Sequence, residues 1–112
     1  MTLLYHRLMS DARLEQFKQM AAEFPDAPMA QFSLGKAYLE RRQYAEAAQA
    51  LETAVRLDPA YAAAMVSLGD AYAGAGQTQK AREVLTRARD TALAQSHASL
   101  AEEIDERLSG LD

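Results

Sequence analysis

The sequence lacks cysteine and tryptophan, and its 112 residues include only two histidines. The absence of cysteine excludes disulfides, thiolate zinc sites and a cysteine nucleophile. His6 and His97 lie near opposite ends of the chain without metal-ligand spacing, and no serine has the His/Asp context of a hydrolase. We therefore expect no catalytic residue, no metal site, no cofactor and no enzymatic activity.

Long apolar runs are also missing. Charged residues interrupt every stretch well before the ~20 apolar residues that a membrane-spanning helix needs. The first residues lack the basic start and long apolar core of a signal peptide. Acidic residues outnumber basic ones by 16 to 12, and the net charge of -4 has the wrong sign for binding a phosphate backbone. We expect a cytoplasmic protein that binds neither membrane nor nucleic acid.

Strand-forming residues are scarce. Valine and isoleucine occur at only four positions, whereas alanine, the strongest helix former, makes up about one residue in five. The helix breakers are few and clustered, and they separate stretches of helical length. The breakers that punctuate the chain are Pro25, Pro28, Pro59, Gly74 and Gly76. The sequence therefore predicts an all-α fold.

An internal repeat organises the chain. Residues 28–61 align without gaps onto residues 62–95, a shift of 34 positions. Most of the identical residues are apolar or small, as packing positions would be. They are Ala30/Ala64, Ser33-Leu34-Gly35/Ser67-Leu68-Gly69, Ala37-Tyr38/Ala71-Tyr72, Ala47/Ala81, Leu51/Leu85 and Ala54/Ala88. A fixed period of this size is typical of a solenoid built from stacked units.

Within each unit, the apolar spacing predicts two amphipathic helices. Gly35 and Gly69 lie inside helical runs, where glycine costs roughly 1 kcal/mol relative to alanine. We therefore expect a bare backbone there for the close approach of a neighbouring helix. Ala47 and Ala81 would serve the same purpose on the second helix, and Tyr38 and its equivalent would fill the space between helices.

These positions resemble the signature of the tetratricopeptide repeat (TPR) family, a 34-residue helix-turn-helix unit. The first unit matches at Leu34-Gly35, Tyr38, Ala47, Leu51, Ala54 and Pro59, and the second at Leu68-Gly69, Tyr72, Ala81, Leu85 and Ala88. The resemblance implies a short right-handed α-solenoid of antiparallel helix pairs.

Two departures from the family pattern matter. The early tryptophan of the signature is Gln31 in the first unit and Met65 in the second. Leu93 stands where the second unit should have its proline, so we expect that helix to continue past Asp90.

The two ends are interpreted as partial units of a single domain. Residues 11–24 occupy the place of a preceding second helix, and residues 2–8 would form a short remnant of the missing first helix. At the other end, Ser99 to Glu102 matches a capping box and predicts a closing helix over 98–109. Such a helix would cap the solenoid, with its acidic outer residues facing the basic residues of the preceding helix.

In the family, the first helices of successive units line a concave groove that receives a peptide. The groove positions implied here are Met29, Phe32, Ser33, Lys36, Leu39, Glu40, Ala63, Val66, Ser67, Asp70 and Ala73. Phe32, Leu39 and Val66 would hold an apolar segment, and Lys36 and Asp70 would orient it. Alternatively, the N-terminal residues cover the groove, and Lys36 pairs with Glu40.

Three functional hypotheses remain. The first is an adaptor or scaffold that binds another protein or peptide in the groove. The second is a homodimer, because two full units are fewer than usual and the N-terminal half-unit would leave apolar surface uncovered. The third is a non-catalytic accessory domain of a larger assembly. Family members that bind a terminal carboxylate use several cations and asparagines, whereas the implied groove contains one lysine and the chain contains no asparagine.

Overall fold

A computed structural model describes residues 2–111, which form six α-helices and no strand. The helices are α1 (Thr2–Glu23), α2 (Pro28–Glu40), α3 (Tyr44–Leu57), α4 (Ala62–Gly74), α5 (Thr78–Ala94) and α6 (Ala98–Gly110). Turns of three or four residues join them, so consecutive helices lie antiparallel. Each helix packs mainly against its neighbours in sequence. The result is the all-α helical solenoid that the repeat predicts.

The N-terminal segment differs from the prediction. α1 is one uninterrupted helix of 22 residues, whereas the sequence analysis divided it into a remnant over 2–8 and a helix over 11–24. The physical reason is that neither glycine nor proline occurs between residues 2 and 23, so nothing stops the helix from continuing.

The other end of the solenoid follows the prediction in one respect and departs from it in another. α5 continues to Ala94, which confirms that it runs past Asp90, because leucine replaces the proline that would end it. The capping box predicted at Ser99 does not form. α6 begins at Ala98, the first residue of the predicted range, but its N-cap position is His97, which makes no side-chain hydrogen bond to the helix start.

The core is built from alanine and a few large apolar side chains. Its largest fully buried members are Leu51, Met65, Leu85 and Ile104, contributed by α3, α4, α5 and α6. Alanines at the helix contacts let the backbones approach closely, and Ala47 and Ala81 have no exposed surface. Among the described residues, no polar or charged side chain is fully buried.

The two repeat glycines lie at close contacts between helices, as predicted. A β-carbon added to Gly35 would lie 2.4 Å from Cγ of Leu51 in α3. At Gly69 it would lie 2.6 Å from Cγ of Leu85 in α5. Such distances are far shorter than van der Waals contact, so only glycine fits without displacing the leucine.

Three helices end in a left-handed residue. Arg42, Gly76 and Ser96 have φ angles of 58°, 79° and 59° after α2, α4 and α5. In each case the next residue donates its backbone N–H to a carbonyl five positions earlier, as Gln43 does to Tyr38 at 3.0 Å. This is the Schellman arrangement, which satisfies the last carbonyls of the helix.

Candidate functional site

The predicted groove lies along one side of α2 and α4. On α2, Met29 is 69% exposed and Lys36 and Glu40 are also exposed, while the remaining predicted residues are half-buried. On α4, Ala63 and Ala73 are exposed. The half-buried members of the predicted set are Phe32, Ser33, Leu39, Ser67 and Asp70.

Val66 does not have the position that the sequence analysis gave it. It is only 6% exposed and belongs to the buried core. Its side chain stabilises helix packing, and the apolar surface that it was expected to offer is absent. Phe32 and Leu39 are half-buried and pack on the edge of the same core, so they and the exposed Met29 form the apolar part of the predicted groove.

Two charged groove residues, Glu40 and Asp70, have partners in other helices, whereas Lys36 contacts a ring of its own helix. Glu40 accepts a hydrogen bond from Nη1 of Arg13 in α1 at 3.2 Å, so its partner is a residue of α1 and not Lys36. Lys36 places its Nζ 5.3 Å from the ring centre of Phe32, a cation–π geometry. Phe32 also contacts Tyr61 at a ring-centre distance of 5.0 Å.

Asp70 is bridged by the closing helix. Nε of Arg107 in α6 donates to Oδ1 of Asp70 at 3.0 Å, and Nη2 donates to Oδ2 at 3.4 Å. Arg107 also lies 3.8 Å from Glu103 of its own helix. The sequence analysis missed Arg107 because its spacing from Glu103 explains it as an ordinary surface pair within one helix.

A cavity opens where α1 meets the groove. Its volume is about 270 Å³. Arg13 and Phe17 form its α1 side, and Phe32, Ser33, Lys36, Ala37 and Glu40 form its α2 side. It therefore combines aromatic surface with charges of both signs.

A larger cavity, which the sequence analysis missed, lies on the opposite side of α4. We call it the α3/α5 furrow. It measures about 530 Å³ and is lined by Glu52, Val55, Arg56, Pro59, Leu68, Tyr72, Lys80, Glu83, Val84 and Arg87. The hydroxyl of Tyr72 donates to Oε1 of Glu52 at 2.5 Å. Burial, and then this bond to a carboxylate, raises the pKa of Tyr72 above its usual value.

With this geometry in view, the chain can be compared with known proteins. The tetratricopeptide repeat family matches over residues 11–51 and 32–98. The chain belongs to this family. A TPR repeat-containing protein of Pseudomonas aeruginosa is 31% identical over 99 residues, which cover 88% of this chain and 94% of that relative.

Solved structures show the same TPR architecture. PcrH, in complex with the chaperone-binding region of PopD, matches 96% of this chain and 81% of its own with a TM-score of 0.86. The TPR2B domain of yeast Sti1, in complex with an Hsp70 segment, matches 98% of this chain and 88% of its own with a TM-score of 0.87. Both are 18% identical to this chain.

The TPR period identifies a counterpart of the α3/α5 furrow in the first repeat. A cavity of about 240 Å³ is lined by Gln31, Leu34, Tyr38, Glu46, Gln49, Ala50 and Thr53. Lys80 and Arg87 of the furrow correspond to Glu46 and Thr53 here. The two TPR units therefore have a cavity at equivalent positions on this side, but the cavities differ in size and in charge.

The described part of the TPR domain contains neither a metal-binding cluster nor a membrane-spanning helix. Residues 2–111 contain no group of three or more His, Asp or Glu side chains placed to hold a metal ion. The same stretch has no helix with the length and apolar character needed to cross a bilayer. Tyr61, beside the groove aromatic Phe32, has its pKa raised by burial and by the nearby Asp58 carboxylate.

Proposed function

We propose that this TPR domain is a protein-interaction module that binds a segment of another protein in the groove of α2 and α4. The observation that carries the proposal is the surface around Lys36, whose ammonium lies over Phe32 beside the 270 Å³ cavity. This surface pairs an exposed cation with aromatic area, a combination that suits a segment with an apolar anchor and a nearby carboxylate.

The neighbouring ion pairs define the charge of this site. Arg13 and Arg107 occupy the carboxylates of Glu40 and Asp70, so Lys36 is the groove charge that is exposed without a carboxylate partner in the described structure. One cation is a weak match for a terminal carboxylate, and the proposed ligand is therefore an internal segment. PcrH and the Sti1 domain, solved with bound protein segments, support this use of the fold.

The proposal assigns no catalytic step to the chain. The groove residues include no histidine, and their hydroxyls belong to Ser33 and Ser67. The groove residues therefore suit the binding of a ligand at the surface.

The experiment is affinity capture from native lysate, with the captured protein then measured by calorimetry. Lys36→Glu and Met29→Glu are expected to weaken the measured affinity, each by about tenfold, because both side chains are exposed at the site. Both changes lie on the surface and should leave the circular dichroism spectrum intact.

Lys80→Glu is the matched control. Its Nζ lies 5.6 Å from the ring centre of Tyr72 on the opposite side of the molecule, so it tests the same geometry away from the groove. A partner that is lost with Lys80→Glu and retained with Lys36→Glu would move the site to the α3/α5 furrow. A partner that binds all three variants equally would contradict both locations.

A further inference from the structure

The α3/α5 furrow is a trough between two parallel helices, with α4 beneath it. Glu52, Val55 and Arg56 line it from α3, and Pro59 lines it from the turn that follows. On α5, the lining residues are spaced three, four and seven positions from the first, so they share one helix face. They are Lys80, Glu83, Val84 and Arg87. The trough therefore extends for about two helical turns along α5.

The bottom of the furrow is apolar. Val55 and Leu68 are buried there, and Val84 is half-buried and packs against the core. An apolar side chain that lies over these residues leaves water and gains packing contacts. The furrow can therefore hold an apolar group between its charged walls.

Three exposed cations line the furrow, namely Arg56, Lys80 and Arg87. Within residues 2–111, no carboxylate lies at ion-pair distance from any of them. Neutral groups orient two of these cations. The Nζ of Lys80 lies 5.6 Å from the ring centre of Tyr72, and Nη2 of Arg87 donates to the carbonyl of Pro59 at 3.3 Å. A ring and a carbonyl position these cations without neutralising them, so both charges are available to an anionic ligand.

The two carboxylates of the furrow are bound by neutral donors. Glu52 accepts the hydroxyl of Tyr72 at 2.5 Å, and Glu83 accepts Nε2 of Gln79 at 3.4 Å. With three cations and two carboxylates, the lining has a net charge of +1, whereas the whole chain has a net charge of -4. The furrow is therefore a basic site on an acidic protein.

The equivalent cavity in the first repeat shows that this charge is not a general property of the fold. At the positions 34 residues before Arg56, Lys80 and Arg87, the chain has Ala22, Glu46 and Thr53. No cation lines that cavity, and its volume is about 240 Å³ against about 530 Å³ for the furrow. The second repeat thus has both the larger cavity and all three cations.

We propose that the α3/α5 furrow binds an acidic segment of a partner protein, in which two carboxylates three residues apart flank an apolar side chain. Lys80 and Arg87 are seven residues apart on one face of α5, about 10 Å along the helix axis. In the polyproline II conformation, side chains three residues apart point the same way and lie about 9 Å apart. One carboxylate therefore lies at Lys80 and the other at Arg87. One of the two residues between them faces the apolar bottom of the furrow.

The placement of the cations favours a chain segment over a compact anion. Lys80 lies at the end of the furrow marked by Tyr72, and Arg87 lies at the end marked by Pro59. Arg56 precedes Pro59 by three residues, so it supports the second end. A single small anion cannot contact both ends at once, whereas an extended segment can. This site is separate from the groove of α2 and α4, and the proposal does not depend on the groove.

The test is a calorimetric titration of the full chain with a short peptide of blocked ends, in which Glu-Leu-Pro-Glu is flanked by glycine and serine. The proline favours the polyproline II conformation. We expect a dissociation constant of about 100 μM. Lys80→Glu and Arg87→Glu should each weaken binding by about tenfold, because each replaces an attractive charge with a repulsive one.

Glu83→Gln should have the opposite effect. It removes a carboxylate that lies between Lys80 and Arg87 on α5, so we expect binding to strengthen by about threefold. Glu83 is exposed, and its replacement should leave the circular dichroism spectrum unchanged. A variant that merely disturbed the fold would not bind more tightly, so weaker binding by Glu83→Gln would contradict the proposal.

Arg7→Glu is the matched control for Arg87→Glu. Arg7 is exposed on α1, which packs mainly against α2, and its replacement changes the net charge by the same amount. Binding should stay within about twofold of wild type, because distant exposed charges are screened by salt. Equal losses with the two variants would mean that the peptide responds only to the overall charge of the chain, which overturns the proposal.

A rearranged peptide tests the spacing. With the order Glu-Glu-Leu-Pro, the carboxylates are adjacent and cannot reach both cations, so binding should weaken by about fivefold. Equal binding of the two peptides overturns the proposal, as does the absence of binding at ~1 mM peptide. Binding that is weakened by Lys36→Glu but not by Lys80→Glu or Arg87→Glu would place the peptide in the groove and overturn the proposal as well.

Discussion

The two complete TPR units share their interior and differ at their surfaces. Gly35 lies against Leu51 in the first unit, and Gly69 lies against Leu85 in the same way in the second. On the outside, the equivalent positions Glu46 and Lys80 have opposite charges. The comparison shows that the repeat period specifies helix packing, whereas surface charge belongs to positions that vary from one unit to the next.

The groove residues of the two units also occupy equivalent positions but differ in charge. Lys36 and its equivalent, Asp70, lie on corresponding sides of α2 and α4, yet Lys36 lies over an aromatic ring and Asp70 is held by Arg107 of α6. The second unit has a closing helix beside it, while the first has α1. A neighbour's identity therefore decides whether a groove charge is available to a ligand.

The largest expected effect tests the shared interior. Gly35→Ala and Gly69→Ala should each lower the free energy of unfolding by about 1–3 kcal/mol, because the new β-carbon collides with a buried leucine. The roughly 1 kcal/mol that alanine gains over glycine in a helix offsets part of the collision, so the net loss lies toward the lower end of this range. Urea unfolding followed by circular dichroism measures both changes.

Gly110→Ala is the control for the glycine substitutions. A β-carbon there meets no atom within 4 Å, so the same chemical change should be neutral or slightly stabilising. Equal effects at positions 35 and 69 would support equivalent packing in the two units. A stabilising effect at either position would contradict the close contact with its leucine.

The prediction of intermediate size compares the stability of the turns after α2 and α4. Arg42 and Gly76 occupy equivalent left-handed positions, but only glycine adopts this conformation without steric cost. Arg42→Gly should raise the free energy of unfolding by about 0.5–1 kcal/mol, and Gly76→Ala should lower it by about 1 kcal/mol. Thermal unfolding checks the signs, and two changes of the same sign would contradict this explanation.

The smallest expected effect is the contribution of Tyr72 to the pH dependence of stability. Tyr72 has a raised pKa because of its burial and its bond to Glu52, so it stabilises the fold fully below the usual tyrosine pKa of about 10. That stability is lost as the pH rises from there through the folded-state pKa. Wild type should therefore lose stability above pH ~10 more steeply than Tyr72→Phe. Tyr38→Phe is the control, and a pH profile identical for all three proteins would contradict the prediction.

The sequence predicted what the period encodes and missed what depends on three-dimensional contacts. The helix pairs and the glycine contacts follow from residues that recur every 34 positions. Val66 was wrongly predicted to line the groove. Residue spacing alone does not distinguish a half-exposed helix position from a buried one when the position of the next helix is unknown. Arg107 was missed because its partner lies 37 residues away, outside any local pattern.

The N-terminal helix illustrates the same limit. The family signature placed a break between residues 8 and 11, but the local chemistry of α1 contains no residue that would make one. Where the signature is weak, intrinsic helix propensity decides the outcome. The α3/α5 furrow was missed for a related reason, since it arises from the spacing between two second helices, which no single residue marks.

Packing between successive helices also determines which parts of the molecule unfold locally. In such a linear array, each helix is protected from unfolding by the one or two helices beside it, so amide hydrogen exchange should be slowest in α3, α4 and α5 and fastest toward the ends. α1 has one main neighbour and can detach while the remaining helices stay folded. The exchange rates of its amide protons therefore measure how firmly this end of the solenoid is held to α2.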